Sequence, residues 1–200
     1  RQALEALVNG DENLARSVAK SDYQVNELEL QISAQCTEIL ARRQPAARDL
    51  RMVVAIIRMV SNLERIGDEA AKVGRMAMKL ADDRDRQSYY AEPKHLGDGV
   101  SAMLQGALDA FARLDVEKAV EVIRADDKID QEFEGLLRKL ITFMMEDPRT
   151  ISASIDLVFV AKAIERVGDH AKNLAEAVIY VVKGTDVRHN PVASVESMVR

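Results

Sequence analysis

The chain has 200 residues, of which 48 % are hydrophobic and 30 % charged, and its net charge is −5. This composition is typical of a globular protein, and the negative charge argues against a general nucleic-acid binder, which relies on Lys and Arg to neutralise phosphates. The single cysteine, Cys36, excludes an intrachain disulfide and favours the cytoplasm. No apolar run approaches the ~18 residues of a membrane span. Because the chain opens at Arg1 inside a helical pattern, we expect a further segment upstream.

Apolar residues recur at helical spacing along almost the whole chain, and only four prolines and nine glycines interrupt them. The pattern predicts an all-α protein. Breaks at Gly, Pro and Asp predict a helical remnant followed by five long helices. Their predicted ranges are 1 to 8, 11 to 43, 46 to 82, 94 to 114, 116 to 146 and 148 to 184.

The two halves of the chain resemble each other. Asp22 corresponds to Asp126 at an offset of 104, and Glu64 corresponds to Glu165 at an offset of 101. The match predicts two homologous three-helix units. The predicted domains are a first unit over 1 to 82, a linker over 83 to 93, a second unit over 94 to 184, and a loose polar tail over 185 to 200.

The first unit lacks most of its first helix, because residues 1 to 8 correspond only to the end of the helix at 94 to 114. Two long helices without a third would leave an apolar groove between them. We expect that groove to be filled by upstream residues or by another chain.

One carboxylate motif occurs in both halves. It reads Glu-Arg-Ile-Gly-Asp over 64 to 68 and Glu-Arg-Val-Gly-Asp over 165 to 169. Acids four residues apart project from one face of a helix, where they repel each other unless a positive charge lies between them. A hard cation is the simplest candidate for that charge.

Further acids belong to the preceding helix of each unit, and the geometry of an antiparallel hairpin brings them to the height of the motif. Counting back from the predicted turns places Asp126 opposite Asp169 and Asp130 opposite Glu165. In the first unit the same count places Asp22 beside 67 to 68 and Asn26 beside 63 to 64. The predicted metal ligands are therefore two sets of four: Asp22, Asn26, Glu64 and Asp68, and Asp126, Asp130, Glu165 and Asp169.

An all-oxygen set suits Mg²⁺, Mn²⁺, iron or Ca²⁺ better than a structural zinc, which takes Cys and His. Asn26 stands where the second unit has Asp130, so we expect weaker metal binding in the first unit. The alternative is that the acids lie at a solvated edge and pair with nearby cations. The cations available for that pairing are Arg65, Arg166, Lys162 and Lys172.

Two other features of the motif have open interpretations. Gly67 and Gly168 each cost about 1 kcal/mol in a helix interior relative to Ala, so they indicate either a close approach of helices beside the acids or tolerated interior glycines. His170 is either an additional ligand or a surface histidine.

Several motifs together resemble the PhoU family of bacterial phosphate-specific transport accessory proteins, over nearly all of residues 1 to 189. Besides the two acid motifs, these are Asp-x-x-[Val/Ile]-[Asn/Asp] at 22 to 26 and 126 to 130, Ala-Arg-Arg-Gln-Pro-Ala at 41 to 46, Met-Glu-Asp-Pro-Arg at 145 to 149 and Gly-Thr-Asp-Val-Arg-His at 184 to 189.

The resemblance implies two pseudo-repeated antiparallel three-helix bundles, the first with a truncated first helix, in a homodimer that binds Mg, Mn, Fe or Zn ions. It also implies a cytoplasmic negative regulator of the phosphate-starvation (Pho) regulon. Such a regulator couples the phosphate ABC transporter, through its ATPase subunit, to the PhoR sensor histidine kinase and restrains phosphate uptake. We therefore expect that the chain is not an enzyme.

Two alternatives to a metal-dependent adaptor remain. One is a helical scaffold whose acids are structural and whose partner binding ignores metal. The other is a carboxylate-bridged redox enzyme, whose sites ordinarily add Glu-x-x-His motifs. We interpret the sequence as lacking a Glu-x-x-His motif, which disfavours the redox enzyme.

Overall fold

The computed structural model describes residues 1–81 and 90–199, and it confirms the all-α fold. These ranges hold seven α-helices and a short 3₁₀ helix, Pro148–Thr150. The α-helices are α1 (Gln2–Asn9), α2 (Glu12–Arg43), α3 (Ala47–Leu80), α4 (Ala91–Arg113), α5 (Val116–Glu146), α6 (Ile151–Lys183) and α7 (Val192–Val199). Residues 83 to 89 of the predicted linker lie outside the described ranges. No helix in the described part combines the length and the apolar character that a bilayer span requires.

The turn between the first two helices of each unit is built in the same way. Gly10 ends α1 in the left-handed conformation, and Asp11 then caps α2 by accepting a hydrogen bond from the Leu14 N–H. In the second unit Leu114 takes the left-handed conformation, and Asp115 caps α5. A short acid at this position satisfies an N–H group that the first helical turn leaves free. The shared turn supports the offset of 104 read from the sequence.

Helix α4 begins earlier than predicted, at Ala91 instead of residue 94. The prediction treated Pro93 as a helix breaker. A proline in the first helical turn removes an N–H that has no intrahelical partner there, so it does not end the helix. The other predicted boundaries agree with the structure to within three residues.

Helices α3 and α6 pack against each other and join the two units. In the second unit α4 packs on both α5 and α6, and in the first unit the eight-residue α1 packs on α2 and α3. Only Ala15 and Cys36 of α2 are buried, the cysteine as the small buried residue type that is common in cores. Large apolar side chains of α2 are exposed, among them Leu28 and Leu30. The first unit therefore has the incompletely covered face that its short first helix predicts.

The C-terminal tail is not loose, so that prediction is wrong. Val187 and Val195 are buried, and α7 packs against α5. Glu196 of α7 forms an ion pair with Arg124, and the Lys183 ammonium donates to the carbonyl of Val199 at 2.7 Å. The prediction gave weight to the polar residues at 185 to 190 and overlooked Val192, Val195 and Val199, which repeat at helical spacing.

Candidate functional site

The structure brings the four acids of the second unit to one level of the α5–α6 hairpin. Burial of its carboxyl raises the pKa of Asp169 to about 6, and the charges of Glu165, Asp126 and Asp130 add to that effect. Burial is also the largest cause that raises the pKa of Asp130. The negative charges of Asp126 and Glu165 raise it further. These effects require the four carboxyls to lie close together, as the hairpin count predicts.

Two lysines of α6 already contact this cluster. The Lys172 ammonium lies 2.7 Å from Oδ2 of Asp126, whose side chain is 3 % exposed. The Lys162 ammonium lies 2.8 and 2.7 Å from the two carboxylate oxygens of Glu165. Burial acts to lower the pKa of Lys172, but the hydrogen bond and charge of Asp126 outweigh it and raise that pKa. Two of the four acids thus have ammonium partners within the protein.

In the first unit Asp22 of α2 faces the motif of α3. Burial raises the pKa of Asp22 and the charge of Asp68 raises it further, while the charge of Arg75 lowers it. Oδ1 of Asp22 and Oδ1 of Asn26 are both buried, and within residues 1–81 and 90–199 neither has a hydrogen-bond partner. A buried oxygen without a hydrogen-bond donor costs free energy. Both atoms are therefore positions where a donor or a cation would be stabilising.

Arg65 is the cation nearest to the motif of the first unit. Its guanidinium lies 3.4 Å from Glu64 and 3.8 Å from Asp68, and its side chain is 63 % exposed. An exposed pair of this kind contributes little because solvent screens it. The alternative to metal binding was that the acids pair with nearby cations. Three of the four cations named for it do so: Arg65, Lys162 and Lys172. Arg166 instead contacts Glu69.

Within the described ranges, no group of three or more His, Cys, Asp and Glu side chains is arranged to hold a metal ion. The donor chemistry nevertheless fits a hard cation, since the eight candidate side chains offer only oxygen. The two partnerless oxygens in the first unit, on Asp22 and Asn26, fit it more specifically. Metal binding by the two sets thus stays a prediction.

The two motif glycines have different surroundings. A Cβ on Gly67 would stand 2.9 Å from Oδ1 of Asp22, which is too close for an unshifted side chain. A Cβ on Gly168 would meet Ile129 at 3.5 Å, an ordinary van der Waals contact. Gly67 therefore allows a close helix approach beside the acids, whereas Gly168 is a tolerated interior glycine.

His170 belongs to a polar cluster between α3 and α6 that sequence reasoning missed. Nδ1 of His170 lies 2.9 Å from Oδ1 of Asn62, and Asn173 donates to the same oxygen at 3.1 Å. Burial lowers the pKa of His170, and Arg166 also lowers it while Glu69 raises it. The histidine is half-buried between two helices, so the interpretation as a surface histidine is wrong, and its hydrogen-bond partner is Asn62 and not one of the eight candidate ligands. Asn62 lies outside every motif, and only the packing of α3 on α6 reveals its role.

The interpretation that the chain lacks a Glu-x-x-His motif is wrong, because Glu92 and His95 have this spacing. Glu92 contacts Lys139, and His95 lies 3.7 Å from Glu132. Both residues belong to α4, which contributes none of the eight candidate ligands. This spacing therefore adds no histidine to the acid clusters.

A family model described as PhoU domain matches this chain twice, over residues 1–77 and 94–178. The chain belongs to the PhoU family. Each PhoU match contains one repeated acid motif together with the preceding acids of the same hairpin.

Two relatives show the extent of the similarity to PhoU proteins. The phosphate-specific transport system accessory protein PhoU homolog of Pseudomonas aeruginosa is 49 % identical over 187 residues, covering 94 % of this chain and 77 % of that protein. The phosphate-specific transport system accessory protein PhoU of Escherichia coli is 44 % identical, with the same coverage.

Solved PhoU structures share the fold. The crystal structure of PhoU from Pseudomonas aeruginosa has a TM-score of 0.89 and 47 % identity, and the match covers 92 % of this chain and 88 % of that one. The phosphate transport system regulatory protein PhoU from Streptococcus pneumoniae has a TM-score of 0.85 and 27 % identity, with 93 % and 87 % covered. The arrangement of helices described above is thus the PhoU arrangement.

Proposed function

We propose that this chain is a regulatory accessory protein of phosphate-specific transport. The observation that carries the proposal is 49 % identity to a protein of that name over 94 % of this chain, a span that includes both acid motifs. The relatives are named as accessory proteins, which supports a role in binding and regulation and not in catalysis.

The more specific role is that of a cytoplasmic adaptor. It couples the ATPase subunit of the phosphate ABC transporter to the PhoR sensor histidine kinase, and it represses the Pho regulon and restrains uptake when phosphate is plentiful. It works as a homodimer. The open apolar face of the first unit supports an association of some kind, because large exposed apolar side chains such as Leu30 mark interaction surfaces.

Metal ions are part of this proposal. Asp22, Asn26, Glu64 and Asp68 would hold a cation in the first unit. In the second unit the ligands would be Asp126, Asp130, Glu165 and Asp169. A bound Mg, Mn, Fe or Zn ion would supply the positive charge that lets carboxylates of two neighbouring helices approach each other. Each set spans both helices of its hairpin, so a bound ion would tie the two helices together at that level.

A second candidate function is a scaffold that binds its partners without metal. It is favoured by the ammonium groups of Lys172 and Lys162, which already neutralise two acids of the second unit. The double variant Asp126→Asn/Asp130→Asn separates the two functions. A metal site should lose the stabilisation that Mn²⁺ gives to thermal unfolding, because a ligand bound only by the folded state raises its stability. A purely structural cluster should show the same change in stability with and without Mn²⁺, because no ion then contributes to the folded state.

The regulatory role is tested by expression of this chain in a bacterium whose own PhoU-family gene is deleted. At high phosphate we expect the chain to restore repression of a reporter driven by a phosphate-starvation promoter. A reporter that stays derepressed, with the chain folded and present at the level of a functional PhoU control, would contradict the proposal.

A further inference from the structure

Asp22 and Asp126 are equivalent residues of the two units, but their carboxylates have different partners. Oδ2 of Asp126 accepts a hydrogen bond from the Lys172 ammonium at 2.7 Å. Oδ1 of Asp22 is buried and, in the part of the chain that the structure describes, has no hydrogen-bond partner. At the offset of 101 that relates α6 to α3, the residue corresponding to Lys172 is Ala71. The first unit therefore has no ammonium at this position.

The same difference recurs at the glutamate of the motif. Lys162 binds both carboxylate oxygens of Glu165, whereas its counterpart in the first unit is Ser61. Among the described residues, Glu64 pairs only with the exposed guanidinium of Arg65, at 3.4 Å. Solvent screens such a pair, so it compensates the charge of Glu64 poorly.

We infer that Lys172, supported by Lys162, is a built-in counterion of the second acid cluster and competes with metal there, whereas the first cluster takes its positive charge from a bound cation. The inference rests on the metal binding proposed above. It reverses the ranking obtained by counting carboxylates, which made the first unit the weaker site because of Asn26.

The two sites differ in the contacts that an incoming cation has to break before it binds. In the second unit an incoming ion has to displace an ammonium from a carboxylate that is 3 % exposed, and the broken pair costs free energy. Asp127 and Glu176 lie near enough to affect the pKa of Lys172, so a displaced ammonium has acids to move towards. In the first unit the ion meets Oδ1 of Asp22 and Oδ1 of Asn26, which have no hydrogen-bond donor among the described residues. The exposed Arg75 affects the pKa of Asp22 but, within the described ranges, forms no ion pair with it that an incoming ion would have to break.

The test compares Mn²⁺ binding by full-length variants, with free Mn²⁺ counted by electron paramagnetic resonance. Asp126→Asn/Asp130→Asn leaves only the first site, and Asp22→Asn/Asp68→Asn leaves only the second. We expect the variant with the first site to bind Mn²⁺ about tenfold more tightly, a modest difference for an ion that need not displace a buried counterion. Adding Lys172→Met to the variant with the second site should recover about that factor. Lys128→Met, at an exposed lysine that pairs with Glu132 on α5, is the matched control and should change little.

The outcomes separate this inference from the proposed function. Equal affinities at the two sites, or tighter binding at the second, would overturn the inference while metal binding by the family fold stands. An unchanged affinity after Lys172→Met would also overturn it. If Lys172→Met does not fold, the comparison of the two double variants decides alone, because neither alters Lys172. If neither site binds Mn²⁺, the metal part of the proposed function fails and the inference fails with it.

Discussion

Oδ1 of Asp22 lies 2.9 Å from the point where a Cβ would stand on Gly67, so the glycine of one helix makes room for the acid of its neighbour. This approach places Asp22 beside the motif of α3. The equivalent glycine, Gly168, has no such close contact, since the Asp126 carboxylate is 3.9 Å from its Cβ position. The two units therefore share a motif but not its packing.

The glycine pair gives a matched test of this difference. Gly168→Ala should stabilise the protein by up to about 1 kcal/mol, because alanine has the higher helix propensity and the new methyl group makes ordinary contacts. Gly67→Ala should gain less, since its methyl group displaces the Asp22 carboxylate, and it should weaken Mn²⁺ binding by the first unit. Denaturant unfolding of both variants measures the difference. Equal stabilisation with unchanged Mn²⁺ affinity would contradict the packing described for Gly67.

The buried carboxylate of Glu176 predicts a pH-dependent stability. Burial raises its pKa from the ordinary value of 4.5, although Lys172 lowers it, and among the described residues it has no hydrogen bond or ion pair. The folded state holds this proton to higher pH than the unfolded state, so stability is lost as the pH rises from about 4.5 through the folded pKa.

The variant Glu176→Gln removes this titration. We expect it to be more stable than the natural chain at pH 8 and nearly equal to it at pH 4, because only the charged form of Glu176 is penalised by burial. Thermal unfolding across that range is the measurement. A variant that loses stability at pH 8 would show that the charged form of Glu176 makes a favourable interaction.

Because α7 packs on α5 through the buried Val195, a smaller side chain at this position should lower the free energy of unfolding. Val195 is 1 % exposed, so Val195→Ala should destabilise the protein by roughly 2 kcal/mol through two lost methyl groups and the space they leave. Ala193 of the same helix is exposed, and Ala193→Ser is a control that should have almost no effect. Urea unfolding measures both. A negligible effect at Val195 would mean that α7 detaches from α5 in solution.

An ion pair joins the two units, and we expect its loss to lower the stability of the protein more than the loss of an exposed pair. The Lys79 ammonium of α3 lies 2.6 Å from Oδ1 of Asp156 of α6, whose side chain is 9 % exposed. Lys79→Met leaves that acid without its partner and should cost about 1 to 2 kcal/mol, less than a fully buried pair because Lys79 itself is 61 % exposed.

The control for this pair is Lys94→Met. It breaks an exposed pair with Asp98 on α4 and should change the free energy of unfolding by less than about 0.5 kcal/mol. Similar effects of the two lysine substitutions in chemical denaturation would show that the Lys79 pair adds nothing to the contact between α3 and α6.

The hairpins could be predicted because helix geometry is regular. A constant rise per residue and a recognisable turn fix which residues of two antiparallel helices share a height. That arithmetic correctly placed Asp22 beside Asp68 and Asp126 near Asp169. Periodicity likewise gave the helix ranges, except where Pro93 was read as a breaker.

What escaped prediction depends on contacts between elements that no period describes. The direction of the Lys172 side chain decides whether Asp126 already has a counterion, and spacing along one helix does not reveal it. Asn62 meets His170 only because α3 packs on α6. The helix of the tail could have been predicted, since Val192, Val195 and Val199 repeat at helical spacing, but its docking on α5 is a contact that no period describes.

The most direct test of the account is the binding of this chain to the cytoplasmic part of its cognate PhoR-type sensor kinase. It should be measured by biolayer interferometry with Mn²⁺ and then with a chelator. The account predicts binding that requires Mn²⁺ and that Asp22→Asn/Asp68→Asn weakens. Binding of equal strength in both conditions would make the acid clusters structural, and an absence of binding in both would contradict the adaptor role itself.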